Sequence, residues 1–356
     1  MKIFKLVSIS IILVMFTFQL SAQTSIDAPF VVEKLNDRVL LIKTGYEFLY
    51  PSNILAVSTE EGIIVMDTGS LPSIAEKAKG IIAREFGRKD FAYVIITHAS
   101  MDHTYGLQAF AGIDIIAHEM CVASTKQALE NRLDPQKFSK RKNDRKKRLD
   151  AMQKRLESME KGSEEEKILR ETFNYQNQFY NETILSPDFK DISPNLSFND
   201  RMTVYFGDLT IRMKSNVISY SDSDILIYIP ELRLLNVGDV FNKSRLPWLN
   251  EKSDIPRWLE IFQEFLDKET EIEYVIGGHG DVFTMKEVRA QLAYLKELWE
   301  GIKTAKNEGL SKEQIQEKFS FDKFKNLLSA VDPFYPGTKM SMQDMNVNTI
   351  LKMFDK

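Results

Sequence analysis

The chain is poor in the residues that cross-link proteins and bind metals. Cys121 is its only cysteine, and only four histidines occur in 356 residues. A lone cysteine excludes an internal disulfide. Charge of one sign is also scarce, since 47 basic against 51 acidic residues leave −4, a poor basis for nucleic-acid binding. No internal repeat and no low-complexity tract occurs. Beyond the first twenty residues no apolar run is long enough to suggest a membrane span.

That first run has its own meaning. Lys2 and Lys5 precede an apolar stretch from Leu6 to Leu20, and Ser21-Ala22-Gln23 offers a small-residue cleavage point. The pattern predicts a signal peptide over residues 1–22 and a periplasmic or secreted protein. A retained anchor is the alternative, but the stretch is short and carries Ser8, Ser10, Thr17 and Gln19. Cleavage would remove two lysines and no acid, moving the net charge from −4 to −6. Hydrophobic residues make up 43% of the chain, enough for a large core.

The scarce histidines are concentrated. Val94 to Ile96 reads as a buried strand and runs into Thr97-His98-Ala99-Ser100-Met101-Asp102-His103, two imidazoles and a carboxylate within six residues. Two further strand ends repeat the theme, Asn236-Val237-Gly238-Asp239 and Ile276-Gly277-Gly278-His279. Imidazole and carboxylate together suit zinc. His118, after the strand Asp114 to Ala117, has no partner at ligand spacing and is expected to be structural.

This ordered set resembles the metallo-β-lactamase superfamily, whose run is His-x-His-x-Asp-His after a strand, followed by a later His, a Gly-Asp and a final His. Ile63 to Gly69 matches the family's early strand and Asp-Thr-Gly turn. Two departures stand out. Ser100 replaces the second histidine of the run, and Tyr220, before the strand ending in Pro230-Glu231, stands where the later histidine belongs. The resemblance implies an αββα sandwich with one metal, most simply zinc, on Asp102, His103, Asp239 and His279. The other metal position keeps only His98, a candidate ligand that could also serve as a general base or hold a water, so that Asp102, His98 and Tyr220 are the catalytic candidates. Tyr220 could donate to a developing oxyanion or ligate as phenolate, which suits iron(III) better than zinc. Asp67 would orient a ligand histidine. The activity implied is metal-assisted hydrolysis of an ester, lactone, lactam, thioester, sulfate ester or phosphate ester. The alternatives are a binding protein on a retired hydrolase fold and an oxidoreductase using iron or manganese.

The periodicity supplies the order of elements. Val31 to Ile42, Ile54 to Ser58, Ile63 to Met66, residues 92–97, Leu196 to Phe206, Leu209 to Met213, and residues 225–229 and 234–237 read as strands. A capping box at Ser73 and Glu76 is expected to open a helix that stops at Gly87. Between about residues 120 and 180 the composition turns helical, broken near Pro135 and Gly162-Ser163, which predicts a pair of helices inserted in the domain. Its basic run, Lys137 to Arg148, reads as a solvated face, and its aromatic end, Phe173 to Tyr180, as packing or a pocket wall. Asp254 and Pro256 start a helix whose Trp258, Ile261, Phe262, Phe265 and Leu266 form a core stripe. Further helices are expected from Met285 to Lys306, and after a capping box at Ser311 and Gln314, with a short closing helix beyond a turn at Phe334 to Gly337. The division is thus a domain over 23–285 and a helical extension over 286–356 that covers one side or mediates self-association, as in a homodimer. The expected partner is a small-molecule substrate.

Overall fold

The computed structural model describes residues 30–44, 52–215, 219–328, 331 and 341–355. The expected signal peptide and the turn at Phe334 to Gly337 lie outside them. One sheet runs in chain order: β1 (Phe30–Asn36), β2 (Val39–Thr44), β3 (Ile54–Ser58), β4 (Ile63–Met66), β5 (Phe91–Ile95), β6 (Asp114–His118) and β7 (Leu196–Phe198). Neighbours are antiparallel up to β4 and parallel from β4 onward. The second sheet is β8 (Arg201–Phe206), β9 (Leu209–Ser215), β10 (Ile225–Ile229), β11 (Leu234–Gly238) and β12 (Tyr274–Gly277), with only β11 and β12 parallel.

Side-chain alternation explains why these strands are apolar almost throughout. Val39, Leu41, Leu55, Val57, Ile64 and Met66 point to the second sheet and meet Ile211, Met213, Ile225, Ile227 and Leu234. Leu40, Ile42, Ile54, Ala56, Ile63 and Val65 point the other way, against helix α1 (Pro72–Phe86). Both faces of the first sheet are therefore buried. The outer face of the second sheet, Leu226, Tyr228, Leu235, Val237 and Val275, is covered by later helices. These are α6 (Ile255–Leu266), α7 (Met285–Asn307), α8 (Lys312–Lys318) and α9 (Met342–Met353), which share one apolar cluster with it. The layers are helix, sheet, sheet, helix, as expected. Each fully buried Ile or Leu contributes about 1.5–3 kcal/mol to this arrangement.

Between β6 and β7 lie α3 (Glu119–Leu133), α4 (Pro135–Glu157) and α5 (Glu164–Tyr180), three helices where composition predicts two. Asp134 ends α3 and caps α4, its carboxylate accepting from Gln136 N and Lys137 N, so Pro135 begins a new helix. The run Val31 to Ile42 is a hairpin of β1 and β2, folded at Asp37-Arg38. Leu196 to Phe206 is likewise two strands, and they belong to different sheets. The chain crosses at Asn199-Asp200, whose carbonyls accept from His118 Nε2 and Ser215 N. The capping box at Ser73 does not form. Pro72 opens α1, and the Ser73 amide and hydroxyl bond to Glu182 at 3.0 and 2.6 Å. The box at Ser311/Gln314 does form, and a further one, not read from the sequence, forms at Thr284/Glu287.

Candidate metal centre

Four strand ends converge on one edge of the sandwich, and each delivers one part of the site. β4 ends in Asp67, β5 leads through Thr97 and His98 into the short helix α2 (Met101–Thr104), β11 ends in Asp239, and β12 leads to His279. Asp67 is held at φ 58, a left-handed conformation that Asp tolerates better than most residues. That turn aims its carboxylate at the β5 loop. Oδ1 accepts from Thr97 N at 2.8 Å, and Oδ2 accepts from Thr97 Oγ1 and His103 Nδ1, both at 2.8 Å.

These bonds fix the imidazoles. With its Nδ1 proton given to Asp67, His103 presents the Nε2 lone pair to the centre. Thr97 spends its one proton on Asp67 and so accepts from His98 Nδ1 at 3.0 Å, leaving His98 Nε2 as a second inward lone pair. Thr97 is absent from the sequence-derived candidate set. It lies inside the motif, but nothing in its spacing shows that it would sit between a carboxylate and an imidazole.

The donor atoms lie at short, even separations. His279 Nε2 is 3.3 Å from both Asp102 Oδ2 and Asp239 Oδ2, and His103 Nε2 is 3.6 Å from both Asp102 Oδ2 and Asp239 Oδ1. A cation about 2.0–2.2 Å from four N or O donors at tetrahedral corners places them roughly 3.3–3.6 Å apart. The His–Asp spacings thus match those around a small cation, with Asp239 meeting His279 through Oδ2 and His103 through Oδ1, and the donors fall into two overlapping groups, His98-His103-Asp239 and Asp102-His103-His279. His103 Nε2, His98 Nε2 and Asp239 Oδ1 are buried with no hydrogen-bond partner among the described residues, as expected of atoms that ligate a metal. Electrostatics agree. Burial would lower His103, but Asp67, Asp102 and Asp239 raise it to about 10. Burial would raise Asp102 and Asp239, yet the histidines hold both below the usual carboxylate range. A cavity that draws a proton onto His103 also favours a cation.

His98 adjoins this group. Its Nε2 is 3.8 Å from Asp239 Oδ2, its ring centre is 4.3 Å from that of His103, and its donors cluster with those of His103 and Asp239 within 4.8 Å. Tyr220 meets the His98 ring edge-on at 5.2 Å and hydrogen-bonds to Ser100, so the two residues at the missing-histidine positions do meet beside His98. Burial, with Asp239 and Asp102 nearby, pushes the Tyr220 phenol above its ordinary value, which makes it a neutral donor and disfavours phenolate. His118 is elsewhere: Nδ1 accepts from Met120 N as the cap of α3, and the residue is structural.

Several residues outside the candidate set complete the edge. Gly278 leaves room that no side chain could share, because a Cβ there would fall 2.0 Å from Asp239 Oδ1 and 2.9 Å from His103 Cε1. Asn53 ties the His279 loop to the first sheet, donating to the Gly277 and Gly280 carbonyls at 3.0 Å, and Asn242 Oδ1 accepts from His279 N at 2.9 Å. Asp224, raised by burial, accepts from Ser219, Ser221 N and Ser221 Oγ and braces the Tyr220 loop. The Gly-Gly-His doublet is the one sequence signal that could have identified Gly278.

Residues 48–170 match the family model described as the metallo-beta-lactamase superfamily. No curated protein matches the chain. Among solved structures, a double mutant of a sec-alkyl sulfatase superposes with a TM-score of 0.63 at 14% identity, over 91% of this chain and 50% of that one. A stereoselective inverting sec-alkylsulfatase from Pseudomonas sp. gives 0.61 at 15%, over 91% and 50%. A metallo-beta-lactamase from Pontibacter korlensis gives 0.50 at 15%, over 75% and 99%. The chain thus spans half the length of the sulfatases it resembles, and at these identities the likeness is one of fold. Residues 48–170 thus match the metallo-beta-lactamase superfamily model, and the chain as a whole shares the fold of the metallo-beta-lactamases and alkylsulfatases it superposes on.

Proposed function

We propose that the chain is an exported hydrolase that acts on small molecules with a single metal ion, zinc, held by Asp102, His103, Asp239 and His279. The observation that supports this reading is the four His–Asp spacings of 3.3–3.6 Å among Asp102, His103, Asp239 and His279, with Asp67 locked behind His103. When bound, such an ion lowers the pKa of water to about 7 and polarises the bond under attack. The chain's own groups supply the rest. Asp67 and Thr97 fix the tautomers of His103 and His98. His98 Nε2, aimed inward with its lone pair free, accepts a proton from the attacking water or holds that water in place. The neutral Tyr220 hydroxyl donates to the oxygen that gains charge in the substrate. The bond cut is an ester, lactone, lactam, thioester, sulfate ester or phosphate ester, and the signal-like start of the sequence supports export.

Metal analysis by inductively coupled plasma after dialysis, together with turnover on a panel of those bonds, tests the reading. One zinc per chain is expected, with hydrolysis lost in Asp239→Asn while the circular dichroism spectrum is retained. Two tightly bound metals would overturn the single site. No metal and no turnover would mean a binding protein on a retired fold, and bound iron would point to redox chemistry.

A further inference from the structure

Two members of the basic run do not belong to a solvated face. Lys137, Lys140, Lys142, Lys146, Lys147 and Arg148 are exposed, but Arg141 and Arg145, one turn apart on α4, are half-buried. Both line a cavity of about 400 Å³, together with Ala99, Met101, Thr104 and Tyr105. Ala99 and Met101 are the chain neighbours of His98 and Asp102, so the cavity shares a wall with the metal centre.

Among the described residues no acid compensates the two arginines of this cavity. Arg141 Nη2 donates to the Tyr105 hydroxyl, and Arg145 Nη1 donates to Gln176 Oε1, both at 2.6 Å, so each has a neutral partner. Arg145 also lies over the Phe179 ring at 4.6 Å. Among the described residues neither arginine forms an ion pair. The one acid in the lining, Asp191, is paired with Arg132, and Lys190 adds another cation. Burial and the neighbouring Arg141 and Arg148 hold the Arg145 guanidinium below its ordinary value. Two like charges on one helix face, half out of water and without a carboxylate, destabilise the chain unless an anion from outside joins them. Guanidinium forks bind oxyanions bidentately and keep most of their N–H groups free here.

We propose that Arg141 and Arg145 form an oxyanion pocket that holds the charged end of an anionic substrate, a carboxylate, sulfate or phosphate, beside the metal centre. That the anion is a substrate rests on the hydrolase reading; its capture by the two arginines does not. In a chain of net charge −4, a local basic cavity also selects anions by focusing the field.

Isothermal titration of the purified full chain with succinate, sulfate and phosphate in turn, at low ionic strength, tests it. At least one should bind one to one, and the one that binds best names the anion. The double variant Arg141→Gln and Arg145→Gln should bind at least tenfold more weakly, and Lys142→Gln at an exposed position of the same helix should bind as the parent does. Binding should persist in 1,10-phenanthroline, a neutral chelator, which separates this pocket from any metal and from the hydrolase test. If the glutamine pair fails to fold, Arg141→Lys with Arg145→Lys keeps the charge, loses the fork and should still weaken binding severalfold. No binding by any of the three anions, undiminished binding in the arginine variants, equal loss in Lys142→Gln, or loss on adding phenanthroline would each overturn the pocket.

Discussion

At the residue scale, the site depends on groups that bear no metal. Gly278 is the sharpest case. A methyl group there collides with Asp239 Oδ1 at 2.0 Å and His103 Cε1 at 2.9 Å, and Asp67 holds the His103 ring in place. Gly278→Ala should therefore lower metal affinity about 10–100-fold, the usual cost of disturbing the support behind a ligand, while leaving the fold intact. Competition with a chromophoric chelator reads the affinity, and unchanged binding would show that the carboxylate has freedom the packing does not suggest. Ser100 and Tyr220 make the complementary test. They hydrogen-bond to each other beside His98, at the positions where the superfamily pattern has histidines. The pair Ser100→His and Tyr220→His would gather three imidazoles there, with Asp239 as a shared carboxylate. Two metals per chain are expected in the double variant and one in each single variant. A folded double variant holding one metal would show that Tyr220 does not occupy the lost ligand's place. Tyr220 also fills space, so its loss should cost some stability through a cavity.

At the scale of elements, the inserted helices are anchored at one end only. The aromatic end of α5 packs onto the body, where Phe179 is buried and stacks on Tyr105 with ring centres 5.5 Å apart, while Tyr180 joins Leu149 of α4 and Ile184 in a small cluster within the insertion. Tyr175 is pushed up to about 12 by burial, which marks it as a neutral phenol inside this junction. The far end, the turn between Glu157 and Glu164, is mostly exposed and is held by local bonds such as Gly162 N to Glu166. Shortening the turn around Gly162 should leave solubility and metal content unchanged and alter turnover or anion affinity instead. Loss of soluble protein would show that the insertion is part of the core. The α3–α4 junction was hard to read from sequence because Pro135 signals a break but not whether a helix lies on each side of it.

At the scale of the whole molecule, the sandwich places a single edge at the carboxyl ends of β4, β5, β11 and β12, and the chemistry collects there because ligands cannot come from strand interiors buried on both faces. Sequence alone determined the residue types and the strand ends on which they stand: Asp67, His98, Asp102, His103, Asp239 and His279 are legible because polar residues interrupt apolar runs that otherwise have to be buried. It also determined the core stripe of α6, whose helical period admits one reading. It did not determine where a run bends. Leu196 to Phe206 has strand composition throughout, and only the meeting of two sheets decides that it changes partner at Asn199-Asp200. Nor could it separate Arg141 and Arg145 from the other cations of their run, because charge is local to a residue but burial is set by what packs against it. Thr97 and Gly278 were hidden for the same reason. The role of each is a distance to a residue remote in the chain, and such distances exist only once the two sheets have closed on each other.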